Sequence, residues 1–121
     1  MKIILAVLFA VFAHAVQAWD SWTEEQRRWY MASNAMLMAD WATTRDMTRR
    51  YNEGYYERNI VLGRYPSRDR LDLYFVSVLI GHYFIADSLS NDWRTVYLQV
   101  VTAVEAGAVT NNLSIGLRLR F

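Results

Sequence analysis

Apolar positions fall into four runs along the chain, and the polar breaks between them set out its elements. The first run, Ile3 to Ala13, is unbroken; it follows a single Lys2 and leads into Val16-Gln17-Ala18, whose outer residues have the short side chains that a signal peptidase inspects. Residues 1–18 therefore read as an export signal with a mature chain starting at Trp19, because about eleven apolar residues fall well short of the roughly 20 needed to span a bilayer. A polar, Trp-studded segment from Trp19 to Arg28 precedes the second run, Trp29 to Ala42, in which Ser33, Asn34 and Asp40 are the only strongly polar residues. Met31, Met36, Leu37, Met38 and Trp41 are good or tolerable helix formers, so this run predicts a helix that is apolar nearly all round, buried by other helices or set in lipid.

A polar connector from Arg45 to Asp69 follows. It holds Gly54, Gly63 and the only proline, Pro66, which ends one element and leaves Ser67 to cap the next. The third and fourth runs, Leu73 to Ala86 and Thr95 to Thr110, are joined across the polar stretch Asp87 to Asp92 and predict a helical hairpin with a short tip. Each carries small residues four apart, Ser77 with Gly81 and Ala103 with Gly107, a spacing that lets helix backbones approach closely in membranes.

At the end of the chain the period changes. Leu113, Ile115, Leu117, Leu119 and Phe121 alternate with Ser114, Gly116, Arg118 and Arg120, which is a strand pattern. It resembles the last strand of bacterial outer-membrane barrels, but those need at least eight strands of about ten residues each, and Trp19 to Thr110 shows no such alternation. The expected fold class is all-α: a small helical bundle or hairpin, membrane-embedded, with a short extended or strand-like C-terminal tail, forming one envelope domain over residues 19–121.

Composition narrows this picture. There is no cysteine, so an exported chain of this size has neither disulfides nor thiolate metal ligands to hold it together. Five Trp and eight Tyr are too many wide rings for so short a domain to enclose, and membrane boundaries or protein contacts are their usual places. The net charge of +1 is uninformative, but seven of the twelve arginines lie between Arg45 and Arg70. With three crossings and an outer N-terminus, that cluster and the Arg118/Arg120 tail fall on the cytoplasmic side, which favours the inner membrane over the outer membrane or periplasm. Those arginines alternate with Asp46, Glu53, Glu57 and Asp69, so anionic headgroups suit them better than nucleic acid.

The string YYERNIVLGRYPSRDRLDLYF, preceded by DWATTRD, resembles a family of small uncharacterised membrane proteins of proteobacteria and their phages. Its marks are an Asp and Thr-Arg-Asp on one helix and Tyr-x-Glu-x-Asn-x-x-Leu-Gly-x-x-Pro-Ser before the next. The likeness runs on through His82, Trp93-Arg94 and Glu105 to Asn112, with Ile60 standing where the family often has Pro. It implies a fold and a membrane location, and no activity.

The candidate polar cluster comprises Asp40, Thr44, Arg45, Asp46, Glu57, Asn59, His82 and Glu105. Asp40 and Thr44 share a helix face, Glu57 and Asn59 are placed to accept backbone hydrogen bonds in the turn-rich connector, and Gly63 suits a positive φ there. Asp40, His82 and Glu105 interrupt apolar runs, one per predicted helix, where an ionisable group is costly. Either they converge as a proton relay or polar ligand site, or the two carboxylates bind arginines such as Arg45 or Arg94 and pin the helices. His82 is the only histidine beyond the signal, so no zinc site and no cofactor are expected, and no phosphate loop or nucleophile elbow is recognisable. The expected role is structural or interactive, with the bilayer, copies of the chain or another envelope protein as partners. The alternatives are a membrane enzyme or ion pathway, recognisable by convergence of Asp40, Glu57, His82 and Glu105 on one cavity, and a phage-type lysis or exclusion protein.

Overall fold

The computed structural model describes residues 19–121 and, before them, Ala13 alone, so the export signal assigned to residues 1–18 lies outside the described part. Three long helices account for most of it: α1 (Glu24–Thr48), α2 (Arg68–Ser88) and α3 (Asn91–Ser114), with one 3-10 turn at Tyr51–Glu53. The all-α expectation holds, and no strand occurs among the described residues.

α1 begins five residues before the predicted run, because Thr23 and Gln26 form a capping box. The Thr23 hydroxyl accepts from the Gln26 N–H and the Gln26 carbonyl Oε1 accepts from the Thr23 N–H, both at 3.1 Å. Glu24 and Glu25 then sit in the first turn, where the helix dipole favours negative charge. The helix is not apolar all round: its buried positions include Gln26, Ser33, Thr43, Thr44 and Asp46, while Met31 and Met38 face outward.

α2 starts where Pro66 and Ser67 predict, with the Ser67 hydroxyl accepting from the Arg70 N–H. α1 packs most extensively on α3 and less on α2, and α2 and α3 touch sparingly beyond their shared tip. Two apolar clusters result. Trp22, Tyr83, Ala86 and Leu98 pack with Trp29, Tyr30 and Tyr97 towards the tip, and Leu62, Leu71 and Phe75 pack with Trp41 and Tyr74 at the connector end.

The alternating C-terminus is not a strand. Leu113 and Ser114 close α3, Gly116 turns the chain at φ 99°, and Leu117 N–H bonds back to Asn112 O at 3.0 Å. The last residues run along α1: Leu117 is buried, and Phe121 meets Trp41 edge-on at 5.3 Å.

Expected membrane crossings find no support in the helices: none among the described residues is long and apolar enough to cross a bilayer. Their length comes partly from polar ends such as residues 68–72 and 91–94, which the apolar runs did not include. Ser77, Ala103 and Gly107 are exposed, and a Cβ added at Gly81 or Gly107 would meet nothing within 4 Å. The small-residue spacing therefore makes no close helix contact among the described residues.

Candidate functional site

Because α2 and α3 meet mainly at the tip, their other ends leave room beside α1, and the connector closes over it. The connector owes its shape to the motif noted in the sequence. Glu57 N–H bonds to Arg64 O at 2.9 Å and draws the chain into a loop, while Glu57 Oε1 accepts from the N–H groups of Arg58 and Asn59. Asn59 Oδ1 accepts from Val61 N–H, its backbone carbonyl accepts from Leu62 and Gly63, and Gly63 takes φ 80°. This turns Leu62 inward, to 3% exposure, and lets Asn59 Nδ2 donate to the Tyr74 hydroxyl at 2.8 Å.

The cavity, partly open to the surface, measures about 400 Å³, within the range of about 300–1,000 Å³ usual for small-molecule sites. Its walls include Asp40, Thr44, Glu57, Asn59 and Glu105, five of the eight candidate residues, with Tyr55, Tyr56, Tyr74 and Phe75 supplying rings. Asp40 of α1 and Glu105 of α3 both line it, near enough that each shifts the titration of the other. Asp40 Oδ1 accepts from the Thr44 hydroxyl at 3.3 Å and from Asn112 Nδ2 at 2.9 Å, and Asn112 Nδ2 reaches Thr43 Oγ1 at 2.9 Å. Glu105 Oε2 is buried and has no hydrogen-bond partner among the described residues.

Burial raises the pKa of both carboxyls. Glu105 is pushed up to about 7, by desolvation first and then by the charge of Asp40. For Asp40, desolvation outweighs the opposing bonds from Glu105, Thr44 and Asn112, and the nearby Glu57 charge adds to the rise. One proton thus stays on the pair to near neutral pH, on the Glu105 side, because Asp40, though buried, accepts hydrogen bonds from Thr44 and Asn112.

The arginines expected to neutralise these carboxylates are engaged elsewhere. Arg45 Nε lies 3.5 Å from Asp72 Oδ1 with its guanidinium over Phe121. Arg94 is buried at the tip, where it donates to the carbonyls of Ala86, Asp87 and Leu89 that end α2. Asp46, also buried, faces the C-terminal tail: its Oδ2 accepts from Arg118 N–H at 2.9 Å and from Arg50 at 3.3 Å.

His82 does not join the carboxylates, so the three-residue relay is not formed. Its ring is 3% exposed and sits nearer the tip, with Nε2 2.7 Å from Ser33 Oγ and Nδ1 2.9 Å from the Tyr97 hydroxyl, stacked on Tyr30. Burial lowers its pKa to about 4, so the imidazole is neutral and fully partnered. Ser33 also donates to Tyr30 O at 2.8 Å, which makes this a buried polar lock between the helices.

Asn112 and Tyr74 were not singled out in the sequence. For Asn112 a signal existed: it lies seven residues after Glu105, two helical turns along the same face. Among the described residues no group of three or more His, Cys, Asp or Glu is placed to hold a metal ion. In comparisons with known proteins, no protein-family model, no curated protein and no solved structure matches this chain.

Proposed function

We propose that the protein is a small helical cell-envelope component whose interaction role is to bind a small organic cation, such as an amine, in the cavity between α1, α2 and α3. The observation that carries this reading is the meeting of Asp40 and Glu105 in a ring-lined cavity where, among the described residues, no basic side chain is bonded to either and Arg58 alone stands in the walls against three acids, Asp40, Glu57 and Glu105. A pair that shares one proton near neutrality can give it up when an ammonium group arrives, and tyrosine rings suit such a group. The resemblance drawn from the sequence names no activity, so the reading rests on this geometry. The envelope location rests on the leader-like opening of the chain. Any lipid contact of the described helices in this reading is made by a face rather than a span.

The bonds through Asp40 and Asn112 also join α1 to α3, so the pair has a structural part to play as well. The two roles separate in one experiment, thermal melting at pH 8 with and without millimolar putrescine. Ligand binding raises the wild-type midpoint by mass action, while Asp40→Asn and Glu105→Gln abolish the rise with melting temperatures near that of the ligand-free wild type. If both variants instead melt much lower and putrescine never shifts the wild type, the pair is structural only.

A further inference from the structure

The connector's outermost point is apolar and held rigidly outward. The Glu57–Arg64 bond and the Asn59 bonds turn Leu62 into the core, and by the same geometry Ile60 and Val61 stand out at 94% and 63% exposure. Folding gives no reason for an isoleucine there, since its side chain touches almost nothing. Val61 is fixed against α2, whose Arg70 donates to Val61 O at 2.9 Å. One turn on from Arg70 along α2, Leu73 is also exposed, at 69%.

Around this apolar tip the charge is one-sided. Between residues 58 and 70 there are four arginines, Arg58, Arg64, Arg68 and Arg70, all exposed, against one acid, Asp69. Arg64 is stacked over Tyr56 and Tyr65, which fixes its guanidinium beside the tip. A shallow recess of about 330 Å³ lies between Arg58, Ile60, Gly63 and Arg64; Glu57 borders it too, but its Oε1 is taken by backbone N–H groups.

We propose that this tip docks on an anionic phospholipid surface, with Ile60 and Val61 entering the headgroup region and Arg58, Arg64, Arg68 and Arg70 meeting lipid phosphates. Charge complementarity selects an anionic partner, and the guanidinium fork suits phosphate oxygens. The shape selects lipid over a folded partner. Two side chains on a convex tip bury little against a rigid face, whereas a fluid bilayer closes around them. The proposal takes its partner from the envelope reading above and leaves Asp40 and Glu105 untouched, so putrescine binding and lipid binding are read out separately.

The test is flotation of the purified chain with vesicles of phosphatidylcholine, alone or with about one-third phosphatidylglycerol, the anionic kind attracting basic clusters. The expected result is flotation with the anionic vesicles only. Replacing both Arg64 and Arg68 by Gln weakens partitioning about thirtyfold, from roughly 1 kcal/mol per arginine near such a surface, and Ile60→Asp with Val61→Asp abolishes it. All four side chains are exposed, so these variants keep the wild-type melting temperature. Because the chain has no cysteine, a polarity-sensitive dye on Ile60→Cys reports insertion directly, blue-shifting with anionic vesicles, while the same dye on Ser88→Cys at the opposite end does not. Failure of the wild type to float overturns the proposal. So do flotation without a shift at position 60, flotation unchanged by the aspartates, and an equal shift with an oligonucleotide in place of vesicles.

Discussion

The guanidinium of Arg94 lies 5.0 Å from the ring centre of Trp22, joining α3 to the segment ahead of α1 across the end of α2. The same group donates from Nε to Ala86 O at 2.7 Å and from Nη2 to Leu89 O at 2.8 Å, satisfying carbonyls that a helix end leaves bare. Gln26 completes the joint by donating to Asn91 O and accepting from Arg94. Arg94→Met keeps much of the side chain's length but strands these buried carbonyls, so it costs about 3 kcal/mol of unfolding free energy in urea titration. Arg94→Lys recovers only part, because one ammonium cannot reach the acceptors that a planar fork spans. A Met variant as stable as wild type would show the joint to be dispensable.

Asp46 fastens the opposite end. Its buried carboxylate accepts the backbone N–H of Arg118, and Arg50, which it also holds, donates to Gly116 O at 2.7 Å. Asp46→Asn weakens these charge-assisted bonds and should cost about 2 kcal/mol. The more specific sign is local: trypsin cleaves after Arg118 faster in the variant than in the wild type, while cleavage within α1 is unchanged under native conditions. Unaltered cleavage after Arg118 would mean that Leu117 and Phe121 alone hold the tail.

How much of this was legible in the sequence depended on the range of the interaction. Ser67 as a cap, Gly63 with positive φ, and Glu57 and Asn59 as acceptors of backbone bonds are settled within a few residues, and each appears as read. Neither expected arrangement of the ionisable groups formed whole: Asp40 and Glu105 share a cavity without His82, and neither pairs with an arginine, because Arg45 meets Asp72, Arg94 meets the end of α2 and His82 meets Ser33 and Tyr97, all contacts between distant parts of the chain. The start of α1 was missed because Thr23 and Gln26 cap a polar turn that an apolar run does not mark. The C-terminal alternation misled for a related reason: Leu113 belongs to α3, and Gly116 resets the chain before Leu117 packs.

Gly81 and Gly107 offer a test of the small-residue spacing. Added methyl groups there meet nothing within 4 Å among the described residues, and alanine is the better helix former by about 1 kcal/mol. Gly107→Ala, in the exposed middle of α3, is therefore expected to raise stability by up to about 1 kcal/mol in chemical denaturation. A loss of stability or of self-association, followed by light scattering over a concentration series, would instead place this face against another copy of the chain.

The two buried titrating sites make opposite pH predictions. In the unfolded chain His82 takes up a proton near 6.5, but in the folded protein not until about 4, so the unfolded state binds more protons between those values. The His82 contribution is full above pH 6.5 and lost as pH falls towards 4, by about 3 kcal/mol at about 1.4 kcal/mol per pH unit. For Glu105 the sign reverses. The folded carboxyl keeps its proton to about 7 while the unfolded chain releases it near 4.5, so this contribution is full below 4.5 and lost as pH rises to 7. Between 4.5 and 6.5 the two slopes oppose, and wild-type stability from urea titrations should change little. Glu105→Gln removes one slope and exposes a steady loss towards acid. His82→Gln removes the other and exposes a loss towards neutrality. If Glu105→Gln is as flat as wild type across this range, the imidazole is not held neutral by the Ser33–Tyr97 lock, and the separation of His82 from the carboxylate pair loses its energetic basis.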